Sequence, residues 1–135
     1  MSDLTYVDHF DADEFLDLAQ RVWPREYSRE PAAQALARTI NIGVRDERRL
    51  VGSIRVLTDG YFFATIPEIL VDPSYQRRGI GRRLMELALE RVPRGKLAFG
   101  AQPQSVAFFE RIGCRRTLTG FVAERPLARS STEVA

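Results

Sequence analysis

The sequence predicts an α/β chain, of the α+β kind with a mixed sheet, and three observations carry that reading. Strand-like and helix-like apolar patterns alternate along the chain instead of segregating into separate halves. A buried-type strand ending at Val71 leads through a short loop into an amphipathic helix opened by Gly79 and Gly81. Two helix-like stretches precede antiparallel-type strands, an order that disfavours a simple doubly wound sheet.

The elements follow in order. Leu4 to Val7 is a short β-like run. Asp11 suits a helix N-cap, with Glu14 completing a capping box, and Phe15, Leu18, Ala19 and Val22 follow at helical spacing up to Pro24. A second helix is expected from Pro31 to Thr39, since proline is tolerated in a first turn. Ile40 to Val44 reads as a strand, Asp46 to Arg49 as a turn and Leu50 to Leu57 as the next strand. Thr58-Asp59-Gly60 is a hairpin signal, and Tyr61 to Val71 is a long β-rich stretch stopped by Asp72-Pro73. Ile80, Leu84, Leu87, Ala88 and Val92 mark an amphipathic helix ended by Pro93 and Gly95. Leu97 to Phe99 reads as a strand, Val106 to Ile112 as a helix capped by Gly113, and Leu118 to Ala123 as a last strand.

A chain of 135 residues is expected to form one domain, here 1–126, with 127–135 as a flexible tail rich in small polar residues. Apolar and charged shares of 44% and 28% are those of a globular protein and exclude wholesale disorder. No apolar run approaches the ~18 residues of a membrane span, and Met1 to His9 lacks the pattern of a signal peptide. The single cysteine, Cys114, has no partner for an internal disulfide, which fits a reducing compartment and a cytoplasmic location. Lys96 is the only lysine, so arginine supplies nearly all the positive charge, and arginine suits planar contact with phosphate. Acidic residues lie all along the chain, so composition implies no nucleic-acid groove.

The informative stretch is Ile69 to Leu84. Glycine lets a backbone approach a ligand closely, and the first turn of a helix offers unpaired N–H groups and a positive dipole end to an anion. Arg77, Arg78, Arg82 and Arg83 surround that opening, which makes a pyrophosphate the natural guest. A dinucleotide fingerprint would need a third glycine where Leu84 stands and an acidic residue near Gly100. A nucleotide-triphosphate loop would need Gly-Lys-Ser/Thr, which is absent. What remains is Gln76-x-x-Gly79-x-Gly81 after an apolar strand ending in Val71-Asp72-Pro73.

That segment resembles the acetyl-CoA segment of the GNAT superfamily of N-acetyltransferases. Val106 to Cys114 resembles the family's later helix, written Phe-Tyr-x-Lys-x-Gly-Phe, and Ile54 to Gly60 with Glu68 to Pro73 is similar to small plastid-type members. The resemblance implies a GNAT-like acyl-CoA N-acyltransferase fold: a splayed central sheet flanked by helices, in which Tyr61–Val71 and Leu97–Phe99 start parallel and then diverge. It implies acetyl-CoA as co-substrate, with its pantetheine arm on the backbone of Leu70 and Val71. Its pyrophosphate would lie beside Gln76 on the amides of Arg77, Arg78, Gly79, Ile80, Gly81 and Arg82, and a backbone N–H near Leu70 would polarise the thioester carbonyl.

An alkyl amine with a pKa of about 10.4 is mostly protonated at neutral pH, so a base matters. Glu68 stands where the family often carries an acidic residue and is the candidate base, a structural strand role being the alternative. Phe109 stands where many relatives have a tyrosine that protonates the departing sulfur, and a phenyl ring has no proton to give. Pro67 interrupts what should be a strand. Cys114 reads as a buried structural thiol, His9 has no assigned role, and no cluster has metal-ligand spacing. Trp23, Tyr27, Phe62 and Phe63 suit either an aromatic acceptor pocket or the core. The leading expectation is acetyl transfer to a primary amine of a small molecule by direct attack in a ternary complex. Acetylation of a protein N-terminus or lysine, and a non-catalytic acyl-CoA sensor, stand as alternatives. No nucleic-acid or membrane partner is expected, and homodimerisation stays open.

Overall fold

A computed structural model describes residues 3–127, so most of the tail expected over 127–135 lies outside the described residues. The residues group into two compact units that divide between Phe99 and Gly100. In the first, β1 (Leu4–Val7), β2 (Ile40–Asp46) and β3 (Arg49–Thr58) form an antiparallel meander. Two short strands, β4 (Ala64–Thr65) and β5 (Ile69–Val71), both pair antiparallel with β3.

The β-rich stretch expected over Tyr61–Val71 is thus broken twice. Tyr61, Phe62 and Phe63 are not strand: their amides all donate to Oδ1 of Asp59, which holds them in a turn past Gly60 at φ 84°. Further on, the β3 register slips by one residue between the Leu57–Thr65 and Ile54–Ile69 pairs. The extra residue falls within 66–68, so Pro67, which has no N–H to give a ladder, sits in a bulge.

Helices cover both faces of this sheet. Helix α1 (Ala12–Val22) begins at the expected capping box: Asp11 accepts from the Glu14 amide at 2.8 Å, and Glu14 accepts from the Asp11 amide at 3.0 Å. Helix α2 (Arg29–Leu36) starts two residues earlier than expected and leaves Pro31 inside its first turn. A Cβ on Gly43 would strike Leu50 and Phe10, and one on Gly52 would strike Val44 and Ile80. Because side chains alternate along a strand, these two glycines mark opposite faces. On one, Phe10, Phe15, Leu18, Ala19 and Leu36 of the α1–α2 layer pack on Leu50 and Leu70. On the other lies α3 (Ile80–Leu89), whose Ile80, Leu84, Met85 and Ala88 are buried against β2, β3 and β5.

Leu97–Phe99 does not form a strand; Ala98 N–H donates to the Ala64 carbonyl at 3.1 Å, which anchors the segment without building a ladder. In the second unit, α4 (Val106–Arg111) carries buried Phe109 stacked edge-on against Phe108 at 5.1 Å. Gly113 follows at φ 104°, the conformation expected of a helix-ending glycine. Leu118–Ala123 is not a strand either: its backbone joins no ladder among the described residues, and Leu118 and Phe121 are about nine-tenths exposed, at 90% and 92%. Cys114 is half-buried rather than buried, and burial pushes its thiol pKa up.

Candidate active site

The site is built where β5 runs into α3. In an antiparallel ladder, successive residues turn their backbone groups alternately toward the partner and away from it. The Glu68 carbonyl accepts from Arg55 N–H, and Asp72 N–H donates to the Val51 carbonyl at 2.8 Å. Leu70, midway between them and opposite Ser53, therefore faces β3, and its carbonyl lies 3.4 Å from the position of a Cβ on Gly52. Ile69 and Val71 face the other way, onto the edge of β5. Of the two residues expected to offer their backbone, Val71 turns it to that edge, beside Ile69, and Leu70 turns it to β3. Sequence reading missed this because the choice depends on ladder parity, which only the pairing sets.

Past Val71 the chain turns sharply, and buried Asp72 holds the turn. Its Oδ1 accepts from the Ser74 amide at 2.8 Å and its Oδ2 from Nε of Arg21 at 2.7 Å. Burial opposes ionisation, but the Ser74 amide and the Arg21 guanidinium outweigh it and hold the Asp72 carboxyl below its usual range. Arg21 also donates to the Leu50 carbonyl at 2.6 Å and pairs with Asp17, tying α1 to the root of the loop. An aspartate before proline signals a turn, but nothing in the sequence pointed to Arg21.

The loop itself runs through Gln76, Arg77, Arg78 and Gly79. Nε2 of Gln76 lies 3.4 Å from the Val71 carbonyl, closing the loop onto the end of β5. Arg77 and Gly79 both adopt the left-handed region, at φ 67° and 79°. Such alternation turns backbone amides toward a common point, the arrangement that binds anions. Gly79 is the N-cap of α3 and brings no capping side chain; Arg83 N–H makes a helical bond to the Gly79 carbonyl, so the amides of Ile80 and Gly81 precede the helical ladder. A Cβ at Gly79 would meet nothing within 4 Å, so the space in front of the helix is open. Arg82 and Arg83 each reach Glu86, at 3.5 and 3.4 Å, in exposed pairs that are weak and easily exchanged for a phosphate. These residues fit a pyrophosphate.

Glu68 lies on the α1 face, just before β5. Its two carboxylate oxygens accept from Nε and Nη2 of Arg55, at 2.6 and 2.7 Å, and both side chains are mostly buried. The Arg55 guanidinium lies 5.6 Å from the centre of the Phe15 ring. Glu68 is therefore a fixed carboxylate rather than a loose one, while each oxygen keeps a further lone pair. Arg55 had no signal in the sequence, since a cross-strand partner is set by register.

Of the aromatic residues expected near the acceptor or in the core, Tyr27 is half-buried and packs against the α1–α2 core, whereas Trp23, Phe62 and Phe63 are exposed. Trp23 is 49% exposed, Phe62 and Phe63 more so, and Tyr27 donates its hydroxyl to the Trp23 carbonyl at 2.8 Å. Phe109 belongs to the second unit and supplies no proton. Among the described residues no group of His, Cys, Asp or Glu could hold a metal ion, and no helix is long and apolar enough to cross a membrane.

Residues 7–124 match the family model of the acetyltransferase (GNAT) domain, a span that takes in parts of both units. A chloroplastic GCN5-related N-acetyltransferase of Arabidopsis thaliana is 38% identical over 51% of this chain and 28% of its own length. A protein of Glycine max named as a histone acetyltransferase is 35% identical over 50% of this chain and 31% of its own. The chain thus matches less than a third of either relative. A solved GNAT family acetyltransferase from Streptococcus pneumoniae superposes with a TM-score of 0.77 at 25% identity, over 93% of this chain and 99% of that one.

Proposed function

Because the chain belongs to the GNAT acetyltransferase domain family, we propose that it transfers the acetyl group of acetyl-CoA to a primary amine of a small molecule, by direct attack in a ternary complex. The observation that carries this reading is the alignment of an open strand edge, at Ile69 and Val71, with the left-handed turn that opens α3 at Gly79. The turn and the first-turn amides, with Arg77, Arg78 and Arg82 around them, suit the pyrophosphate of acetyl-CoA. The outward backbone of Ile69 and Val71 suits its pantetheine amides, and an Ile69 or Val71 N–H would polarise the thioester carbonyl as charge develops on oxygen. The single domain in this reading spans 1–126, with Phe109 of α4 as part of the cofactor-binding set.

Only a neutral amine attacks a thioester, and about one alkyl amine in a few thousand is neutral at pH 7. Glu68, held by Arg55, takes the proton as the amine nitrogen bonds to the acetyl carbon. The thiol leaves as thiolate, which its pKa of about 8.5 allows without an acid at Phe109. Trp23 and Tyr27, between α1 and α2 on the sheet face that carries Glu68, suit an aromatic wall for the acceptor.

A thiol-release assay over a panel of amines tests this, alongside calorimetry with acetyl-CoA. Turnover on small amines supports it, and binding without turnover on any amine or peptide would replace it with the sensor reading. Turnover confined to peptides would favour protein acetylation, the reading that the histone-acetyltransferase name of one relative supports. The cytoplasmic assignment rests on Cys114 being the only cysteine; cell fractionation tests it, a plastid location being the other outcome given the relatives named chloroplastic.

A further inference from the structure

The phosphate loop is tied down where it begins by a contact that the fold alone does not require. Tyr75 lies one residue before Gln76, and its hydroxyl donates to Oδ2 of Asp46, the last residue of β2. The same ring carries the guanidinium of Arg78, 4.8 Å from its centre. One side chain thus links three things: the sheet, the loop backbone and the Arg78 guanidinium. The backbone next to it needs such a restraint, because Arg77 is held at φ 67°, a conformation unfavourable for a residue with a Cβ.

Resting on the acetyl-CoA reading above, we propose that Tyr75, braced by Asp46, is a positioning residue that sets the phosphate-binding turn and Arg78 before the nucleotide arrives. A turn ordered in advance does not charge its ordering to the binding step, so the brace acts on affinity for the nucleotide end and not on chemistry at the acyl end. The hydroxyl is suited to a permanent brace: the Asp46 carboxylate raises its pKa above the ordinary phenol value, so it stays a donor throughout the neutral range. Arg78 gains a fixed direction from stacking while keeping its charge for a phosphate.

The test has a ligand-free arm and a ligand arm, using Tyr75→Phe, Asp46→Ala and Asp46→Asn in the full chain. In the ligand-free arm, tryptic cleavage after Arg77 and Arg78 is followed by mass spectrometry. It is expected to speed up several-fold in Tyr75→Phe and Asp46→Ala, and to stay near the wild-type rate in Asp46→Asn, which keeps an acceptor oxygen. In the ligand arm, KM for acetyl-CoA is expected to rise about tenfold in the first two variants, as lost preorganisation predicts, with kcat and the amine KM unchanged. The double variant Tyr75→Phe/Asp46→Ala should be no worse than either single one. Unchanged cleavage and unchanged KM in Tyr75→Phe, with wild type still binding acetyl-CoA, would overturn the brace and leave the acetyl-CoA reading standing. Faster cleavage in a protein that binds no acetyl-CoA would confirm the brace on the turn but overturn its role and the acetyl-CoA reading together.

Discussion

At Glu68 the structure sets two demands against each other. A base must give up its carboxylate lone pair to a proton, whereas a strut for Arg55 must keep both oxygens engaged. Glu68→Gln separates the two demands, because the amide still offers Arg55 one oxygen but accepts no proton at neutral pH. The expected outcome is a kcat lower by about 10²-fold, measured at a temperature where the variant remains folded, since an amide nitrogen facing an Arg55 donor also lowers the melting temperature. Arg55→Ala should do more structural harm, on the order of 3 kcal/mol in a denaturation experiment, since it strands a mostly buried carboxylate. At Gly79 an added Cβ meets nothing within 4 Å, so the folded chain's cost for a leucine there is backbone strain of about 1–2 kcal/mol, and on the acetyl-CoA reading its side chain would crowd the phosphate. Acetyl-CoA affinity measured by calorimetry should fall below detection in Gly79→Leu.

At the scale of elements, α1 is more than a lid on the sheet. Its capping box fixes where it begins, and Arg21 in its last turn reaches the buried Asp72 at the root of the loop before α3. The pH dependence follows from the sign of the shift. Asp72 is held below its unfolded pKa, so its contribution is complete above about pH 4 and is lost as pH falls through the lower folded value. Glu14, held down by Arg45, acts in the same direction. Melting temperature should therefore drop on acidification below about pH 4, and Asp72→Asn should flatten part of that drop while lowering stability at neutral pH. An equally steep acid limb in Asp72→Asn would show that other carboxylates govern it. These elements also show how far local signals reach. The Asp11–Glu14 box, the Asp72-Pro73 stop and Gly79 were readable because each acts within three or four residues of itself. The Tyr61–Val71 stretch is legible only in part: the missing N–H of Pro67 signals an interruption, which the register of β3 places in a bulge, whereas nothing local shows that Asp59 takes three amides out of any ladder.

For the molecule as a whole, binding and folding are linked. A ligand held by the loop, β5 and α3 together stabilises all three, and saturating acetyl-CoA at a hundredfold over Kd should add about 2.7 kcal/mol. Thermal denaturation should show that gain in wild type and not in Gly79→Leu. The amino-acid order alone determined the α/β class, the glycine-opened helix start and the family resemblance, because caps, periodicities and glycine turns are written in neighbouring residues. Tertiary structure decided the rest. Arg55 meets Glu68, Tyr75 meets Asp46 and Arg21 meets Asp72 across 13, 29 and 51 residues of chain. Whether Leu70 or Ile69 faces the open edge turned on a pairing register that no single strand contains. Both depend on where separate segments dock, and docking is a property of the packed sheet rather than of any stretch within it.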